Sequence, residues 1–261
     1  MKLLLIGCGN LGQALLKAWQ THQKKYDIVV VQPSLSAQVF FPSVRFVSQA
    51  SEIPEDFNPE GIVIAIKPQQ MQKVLSAYEA YLTQSLIISF AAGISMARLD
   101  TYLSGNKRCL RVMPNVAMKI GKSVNLTYGE TSLSLKDRAL AEEILGVTGS
   151  LIWLKTEALI EALTPISASG PAYFFILSEI MMQIAMESGL EESFARDLVQ
   201  GTFLGSALLT SPTSDFKAMI SSVASKGGVT EAALSVLQPG LSELMHKACN
   251  AALERLKTLE K

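Results

Sequence analysis

The residues with the clearest chemical potential stand near the start of the chain, in the glycine-rich sequence Gly7-Cys8-Gly9-Asn10-Leu11-Gly12. The apolar run 3–6 precedes this sequence and a helical pattern follows it, which predicts the order strand, turn, helix. At this spacing the first glycine permits a tight turn, the second lets the backbone approach a pyrophosphate, and the third lets the helix pack on the strand. The pattern favours dinucleotide binding over the alternative, an ordinary glycine-rich turn.

The residues after the second predicted strand bear on which dinucleotide is bound. An Asp or Glu at that point would hold the adenosine ribose 2′-hydroxyl of NAD, but here the strand is followed by Gln32-Pro33-Ser34-Leu35-Ser36. Because no carboxylate repels it there, a 2′-phosphate could accept hydrogen bonds from Ser34 and Ser36. This favours NADP(H). The loop has no arginine, so NAD(H) stays open as an alternative, and plain turn chemistry is the other interpretation of the serines.

A second candidate site is the sequence Ser225-Lys226-Gly227-Gly228-Val229-Thr230. Small residues followed by Thr at a helix start expose several backbone N–H donors and a hydroxyl. Such a group suits a substrate carboxylate, and a simple helix N-cap is the alternative at this point.

The remaining catalytic inventory is thin. The chain has two histidines, His22 and His246, both interpreted as solvated surface residues. It lacks a GxSxG elbow, an HExxH motif and any convincing pair of carboxylates, which gives hydrolytic mechanisms little support. We therefore predict a reaction in which the cofactor carries the chemistry, with no metal.

Composition excludes several other classes of protein. The 261 residues include 23 basic and 23 acidic side chains, and 49% of them are hydrophobic. This balance excludes disorder and argues against nucleic acid or an anionic membrane as the main partner. Cys8, Cys109 and Cys249 form no CxxC pair, so a reducing compartment is expected. The apolar run at the N-terminus is too short for a signal peptide, and no run reaches the length of a membrane span, so we expect a cytoplasmic protein.

The arrangement of apolar runs predicts two domains. Up to residue 155, short β-branched runs alternate with helical patterns, as in a parallel sheet wrapped by helices; residues 156–261 read as helices alone. The predicted strands are 3–6, 28–31, 44–47, 62–66, 86–90, 108–112, 123–128 and 150–154. The helical segment from Pro171 to Met186 is apolar almost all round, so we expect a second copy of the chain to help bury it, in a homodimer.

Five sequence segments, taken in order, resemble the pyrroline-5-carboxylate reductase family over nearly the whole chain. They are the turn Gly7–Gly12, Ala65-Ile66-Lys67-Pro68, Arg111-Val112-Met113-Pro114-Asn115, Glu161–Thr164 leading to Ser169-Gly170-Pro171-Ala172-Tyr173, and Ser225–Thr230. The resemblance implies an α/β fold, in which an N-terminal Rossmann-type dinucleotide-binding domain, 1–155, precedes an all-helical dimerisation and substrate-binding domain, 156–261. It also implies dimers that assemble further into rings.

The resemblance implies a reaction as well. NADPH would give a hydride to the imine carbon of 1-pyrroline-5-carboxylate, producing L-proline. Ser225 and Thr230 would be the catalytic residues, and with Gly227 and Gly228 they would grip the substrate carboxylate. The implied cofactor residues are Gly7, Gly9, Asn10, Leu11, Gly12, Ser34, Ala65, Lys67, Pro68 and Asn115.

The chain departs from the family pattern at several positions. Val116-Ala117 replaces Thr-Pro, Lys226 replaces a proline, and Thr213 stands where an acidic residue is usual, although Asp215 could substitute for it. These departures keep open a divergent member that acts on another imine, or one that binds NADP(H) in a sensor role. A β-hydroxyacid dehydrogenase is a further alternative, but it would need a catalytic lysine on a helix, and Lys155 lies at a strand end.

Overall fold

An eight-stranded sheet forms the core of the first of two compact units. The computed structural model describes residues 1–21, 26–103 and 105–259. The first unit comprises Met1–Ser169 with the end of the last helix from Leu253, and the second comprises Gly170–Ala252. The strands lie in the order β3-β2-β1-β4-β5-β6-β7-β8. Their bounds are β1 Lys2–Ile6, β2 Asp27–Val31, β3 Arg45–Val47, β4 Gly61–Ile64, β5 Leu86–Ser89, β6 Cys109–Met113, β7 Ser123–Gly129 and β8 Gly149–Trp153.

The sheet is covered on both faces, which explains why its strands are continuous apolar runs. On one face, Leu3 and Leu5 of β1 pack in a cluster with Leu15 and Trp19 of the first helix. Leu4 and Ile6 belong to a second cluster on the opposite face. All eight predicted strands are confirmed, each within two residues of its expected bounds.

The predicted parallel sheet is confirmed except at one pair of strands, where the predicted direction is wrong. β6 and β7 are antiparallel, with Leu110 opposite Gly129 and Met113 opposite Leu126, while β7 and β8 are parallel. The link from β6 to β7 holds one short 3-10 helix, Val116–Ile120. A link of this length reverses the chain beside β6, because a parallel pair needs a crossover of a dozen or more residues.

Ten α-helices flank or follow the sheet within the described residues. Their bounds are α1 Asn10–Thr21, α2 Met71–Leu75, α3 Glu79–Leu82, α4 Met96–Tyr102, α5 Leu135–Leu145, α6 Ala158–Ser167, α7 Gly170–Glu187, α8 Glu192–Leu208, α9 Phe216–Val223 and α10 Val229–Leu259. Local signals fix several starts: the Ser134 hydroxyl accepts the Asp137 N–H at the start of α5. No described helix has the length and apolar character needed to cross a bilayer.

The second unit consists of helices, as predicted. Within it α7 packs on α8, and the rings of Phe174 and Phe203 lie 5.7 Å apart. One chain does not cover α7, however. Its large apolar side chains are 42% to 59% exposed: Phe174, Phe175, Ile176, Leu177, Ile180, Met181 and Ile184. Within one chain, these apolar side chains therefore leave roughly half of their surface exposed.

The limits of the two units differ from the predicted domains, 1–155 and 156–261. The first unit extends to Ser169 because α6 packs on the sheet, where the Ser167 hydroxyl donates to the Val124 carbonyl over 3.3 Å. The domain boundary at residue 155 stays a prediction.

Candidate functional site

The glycine-rich turn lies where the order of the strands reverses direction. β1 pairs with β2 on one side and with β4 on the other. The strands β2 and β3 therefore lie toward one edge of the sheet, and the strands from β4 onward lie toward the other edge. In open α/β sheets, ligands bind outside the carboxyl ends of the strands at such a point. The end of β1 and the Ala65 segment after β4 meet there, and the Ala65 N–H donates to the Ile6 carbonyl over 2.8 Å.

The three glycines of the turn have different neighbours. A Cβ atom on Gly7, which has φ +91°, would lie 2.7 Å from the Ala65 carbonyl oxygen, and one on Gly12 would lie 2.5 Å from the Gly7 carbonyl oxygen. By contrast, a Cβ atom on Gly9 would meet no atom within 4 Å. Gly7 and Gly12 are therefore needed by the fold, while Gly9 presents open backbone that a phosphate group can approach closely.

Helix α1 begins directly after Gly9, whose carbonyl accepts the Gln13 N–H over 2.9 Å. The N–H groups of the first turn, at Asn10, Leu11 and Gly12, have no acceptor within the helix. Together with the helix dipole they favour an anion. Burial raises the pKa of Cys8 to about 11, so its thiol stays neutral near pH 7 and leaves this positive potential intact.

A side chain from the end of β2 joins the turn to the predicted 2′-phosphate residues. The Gln32 Oε1 atom accepts the Cys8 N–H over 2.7 Å, and its Nε2 atom donates to the Ser34 hydroxyl over 3.2 Å. The hydroxyls of Ser34 and Ser36 are 3.0 Å apart. Sequence reasoning noticed Gln32 as a missing carboxylate but assigned it no role. Its position directly after β2 was the available signal.

Lys67 and Pro68 follow Ala65 at the same end of β4. Lys67 is exposed, and Pro68 opens a 3-10 helix, Pro68–Gln70, at a position that its fixed φ favours. This brings the Ala65–Pro68 segment to the carboxyl edge of the sheet beside the glycine-rich turn.

Asn115 lies at the end of β6, and its polar groups are already paired. Its Oδ1 atom accepts the Ala117 N–H over 3.0 Å, and its Nδ2 atom donates to the Ser167 carbonyl over 3.2 Å. Its N–H donates to the Ser123 hydroxyl over 3.0 Å. These bonds give Asn115 a structural role between β6, β7 and α6. A cofactor contact by Asn115 stays a prediction.

A partly buried ion-pair cluster, which sequence reasoning missed, joins β6 to the start of α6. Arg111 is 4% exposed and pairs with Glu157 and Glu161 at the start of α6. Glu157 also accepts the Met96 N–H over 2.6 Å. An arginine within an apolar strand, and two acids four residues apart on a helix, were the signals that could have found it. Removing one partner of a buried pair leaves an uncompensated charge.

The second candidate site is a tight turn in the helical unit, leading into α10. Gly227 has φ +73°, and the Gly228 N–H donates to the Ser225 carbonyl over 2.9 Å. The Glu231 Oε2 atom accepts the Gly227 N–H over 2.6 Å. Ser225 and Thr230 are exposed. The turn thus places a hydroxyl at Ser225 and another at Thr230, with first-turn N–H groups of α10 between them.

Helices α9 and α10 leave a cleft of about 320 Å³ beside this turn, with Ala224, Glu231 and Ser235 among its walls. Asp215 does not face that cleft as a free acid, because its Oδ1 atom caps α9 by accepting the Lys217 N–H over 2.9 Å and the Ala218 N–H over 3.4 Å. The Thr213 hydroxyl lies 3.3 Å from that of Ser211. His246 is exposed with its Nδ1 atom 2.7 Å from the Ser242 carbonyl, whereas His22 lies outside the described residues.

Comparison with known proteins supplies the family. Residues 157–259 match the model described as pyrroline-5-carboxylate reductase dimerisation, and residues 2–93 match the model described as NADP oxidoreductase coenzyme F420-dependent. The pyrroline-5-carboxylate reductase of Haemophilus influenzae is 32% identical over 260 residues, which cover 98% of this chain and 96% of that protein. This chain belongs to the pyrroline-5-carboxylate reductase family.

Solved structures agree with this assignment. The pyrroline-5-carboxylate reductase of Coxiella burnetii is 30% identical and superposes with a TM-score of 0.88, covering 99% of this chain and 98% of that one. The pyrroline carboxylate reductase of Plasmodium falciparum, solved with NADP bound, is 24% identical and has a TM-score of 0.85 over the full length of both chains. The expected fold, a Rossmann-type domain followed by a helical domain, is confirmed.

In this family member the predicted site residues fall into two groups, one in each unit. Those of the first unit surround the carboxyl edge of the sheet: Gly7, Gly9, Asn10, Leu11, Gly12, Ser34, Ala65, Lys67, Pro68 and Asn115. Those of the second unit share one turn: Ser225, Gly227, Gly228 and Thr230. Within the described ranges, no three His, Cys, Asp or Glu side chains are grouped so that they could hold a metal ion.

Proposed function

We propose that this chain reduces 1-pyrroline-5-carboxylate to L-proline with a hydride from NADPH. The observation that carries the proposal is the open backbone at Gly9, at the point where the strand order reverses, beside a β2 end that carries Gln32 rather than a carboxylate. This arrangement suits a dinucleotide that bears a 2′-phosphate. The family to which the chain belongs supplies the substrate.

The first unit would hold the cofactor. The turn from Gly7 to Gly12 would receive the pyrophosphate on the N–H groups of Asn10 and Leu11. Ser34 would donate to the 2′-phosphate, Ala65, Lys67 and Pro68 would border the cofactor from β4, and Asn115 would border it from β6. When bound, NADPH supplies the hydride, and the protein supplies position and electrostatics.

The second unit would hold the substrate. The hydroxyls of Ser225 and Thr230 are suited to grip its carboxylate, so we assign these two residues as the catalytic contacts. Gly227 and Gly228 would border the substrate and shape the turn, because their N–H groups are donated to Glu231 and to the Ser225 carbonyl. A protonated imine already accepts hydride well. The protein therefore needs mainly to orient the carbon and to exclude water, which agrees with the few acid and base groups in the chain.

We further propose a homodimer formed through the helical unit, assembling into a ring. The dimerisation model matched by residues 157–259 and the exposed apolar side chains of α7 support the dimer. We place the enzyme in the cytoplasm, in keeping with three cysteines that are all free.

The experiment that tests the function is the loss of NADPH absorbance when 1-pyrroline-5-carboxylate is added to the purified protein, with NADH run in parallel. Turnover that is faster with NADPH is the expected result. No turnover of this substrate, with nucleotide binding measured separately by calorimetry, would contradict it.

The second candidate is a divergent member that acts on another imine, or that binds NADP(H) without turnover. It is favoured by Asp215, the nearest acid to the substituted position Thr213, because its carboxylate is engaged in capping α9. A panel of cyclic imines of different ring size separates these cases: turnover of another ring favours the altered substrate, and turnover of none favours a binding role.

A further inference from the structure

We infer that Gln32 is the positioning residue that makes the nucleotide site prefer NADP(H), because it orients the Ser34 hydroxyl as a donor toward the 2′-phosphate. The inference deepens the proposed function and rests on it. The contacts that carry it join three segments: the glycine-rich turn, the end of β2 and the loop after β2.

The orientation of the Gln32 amide is fixed by its first contact. The Cys8 backbone N–H is a donor and nothing else, so the side-chain atom 2.7 Å from it must be the accepting oxygen, Oε1. The other end of the amide, Nε2, is then necessarily the group that faces the Ser34 hydroxyl, at 3.2 Å. A glutamine held in this way is a donor toward Ser34.

The orientation of Gln32 determines what Ser34 can do. A serine hydroxyl has one proton to donate and two lone pairs to accept with. Because Gln32 donates to the Ser34 oxygen, the Ser34 proton is directed elsewhere. Its neighbour in the structure is the Ser36 hydroxyl, 3.0 Å away. Both serines are exposed, so a 2′-phosphate oxygen can accept the hydrogen bond that one serine hydroxyl here donates to the other.

The backbone supports the same arrangement. Leu35, between the two serines, has φ +50°. A non-glycine residue in this region is uncommon and carries a cost. Here that conformation brings the hydroxyls on its two sides to within hydrogen-bond distance of each other.

The substitution Gln32→Glu separates the two contacts of the side chain. A glutamate oxygen still accepts the Cys8 N–H, so the turn keeps its anchor, but the side chain no longer donates to Ser34 and carries a negative charge beside it. A carboxylate at the end of the second strand is also the group that binds the free ribose 2′-hydroxyl of NAD. One substitution should therefore shift the preference from NADP(H) toward NAD(H).

The test measures binding of NADP⁺ and NAD⁺ to the full chain by titration calorimetry, with no imine present and therefore no turnover. For Gln32→Glu we expect the Kd of NADP⁺ to rise about 30-fold, as for loss of a charge-assisted hydrogen bond, and the Kd of NAD⁺ to change less than about threefold. Ser34→Ala should raise the Kd of NADP⁺ about tenfold and leave that of NAD⁺ unchanged.

A matched variant, Gln32→Leu, removes both contacts. It should raise the Kd of both nucleotides, because the glycine-rich turn loses its bond to residue 32. In addition, because the contact with Ser34 is lost, the ratio of the NAD⁺ Kd to the NADP⁺ Kd should fall about tenfold. If Gln32 acts through Ser34, this further loss disappears when Gln32→Leu is made in the Ser34→Ala chain. Thermal melting of each variant identifies any that fail to fold, and the ratio is read from those that do fold.

The outcomes are distinguishable. If the ratio of the NAD⁺ Kd to the NADP⁺ Kd is unchanged in both Gln32→Glu and Gln32→Leu, the inference is overturned, because Gln32 would then only support the turn. The proposed function would be unaffected by that result. A full additional loss in the double variant would overturn the route through Ser34. Wild-type protein that turns over the imine without preferring NADP⁺ overturns the inference alone, whereas wild-type protein that binds neither nucleotide overturns the proposed function as well.

Discussion

The two glycine turns, Gly7–Gly12 in the first unit and Ser225–Thr230 in the second, share a local plan but differ in charge. Gly9 directly precedes α1, and Gly228 directly precedes α10. In each turn the residue before that glycine, Cys8 or Gly227, donates its N–H to a side chain. In the first turn the acceptor is the neutral amide of Gln32, and in the second it is the carboxylate of Glu231. A neutral acceptor leaves the positive helix terminus available to a diphosphate, whereas a carboxylate partly cancels it.

The two turns also differ in their surroundings. Gly7 is held against the Ala65 backbone, which follows β4, and Gly12 is held against the Gly7 carbonyl; both follow the buried strand β1. The Ser225–Thr230 turn is held by bonds among residues within a few positions of one another. The first turn is therefore fixed by the sheet and the second by its own sequence, so the same substitution should have different effects in the two.

The largest difference is expected for an added methyl group. Gly12→Ala places a Cβ atom 2.5 Å from the Gly7 carbonyl oxygen, and we expect it to destabilise the fold by about 1–3 kcal/mol and to abolish NADP⁺ binding. Gly228→Ala places a Cβ atom 2.5 Å from the Ser225 hydroxyl oxygen and 2.9 Å from the Ser225 carbonyl oxygen. This turn is held by local bonds, so it can shift more readily than the turn on the sheet. The substitution should raise KM for the imine with less change in Tm. Melting curves with calorimetry check this, and equal loss of Tm in both would refute the contrast.

Removing a hydroxyl from the second turn should act on the substrate alone. Thr230→Ala is expected to weaken binding of the imine by roughly 1.5–3 kcal/mol, the value of a hydrogen bond to a charged group. The measurement is KM at saturating NADPH. Thr258→Ala, the same change near the other end of α10, is the control and should leave KM unchanged. An unchanged KM in Thr230→Ala would remove Thr230 from the site.

A methyl group at Gly9 should act on the cofactor without harming the fold. No atom lies within 4 Å of the added Cβ, so we expect an unchanged Tm. The methyl group would occupy the space that a phosphate needs, and the Kd of NADP⁺ should rise about tenfold, or 1.4 kcal/mol. A lowered Tm with unchanged binding would show that Gly9 serves the fold rather than the ligand.

The smallest effect is expected at Glu231. Glu231→Gln keeps an acceptor for the Gly227 N–H but removes a negative charge from the carboxylate cradle. KM for the imine should therefore fall, by about twofold to threefold for a screened surface charge. The change should shrink as salt is added, because screening reduces the repulsion. A rise in KM would mean that the charge of Glu231 supports substrate binding.

The strands were predictable because each is a short, buried apolar run with turn residues at its ends. The parallel direction expected for β7 was wrong, since an apolar pattern contains no information about strand direction. The length of the link after β6 did contain it. The glycine-rich turn was found because its signal is local, within six residues.

The contacts of side chains distant in sequence were missed. Gln32 bonds to a backbone group 24 residues earlier, and Arg111 pairs with acids 46 and 50 residues later. Local patterns mark these residues as unusual but do not identify their partners, because the pairing depends on how β2 and β6 are placed by the sheet. Asn115 was assigned to the cofactor from its motif, which stays a prediction. Its bonds to Ala117 and Ser167, which also hold neighbouring elements together, were missed.

The exposed apolar side chains of α7 link the stability of each copy to the number of copies present. If the proposed dimer covers them, folding is coupled to association by mass action, and the free energy of unfolding grows with total protein concentration. Dilution would then act as a denaturant. A newly made chain would have to dimerise before its exposed α7 side chains caused aggregation. The rate of synthesis would therefore affect the yield of folded enzyme.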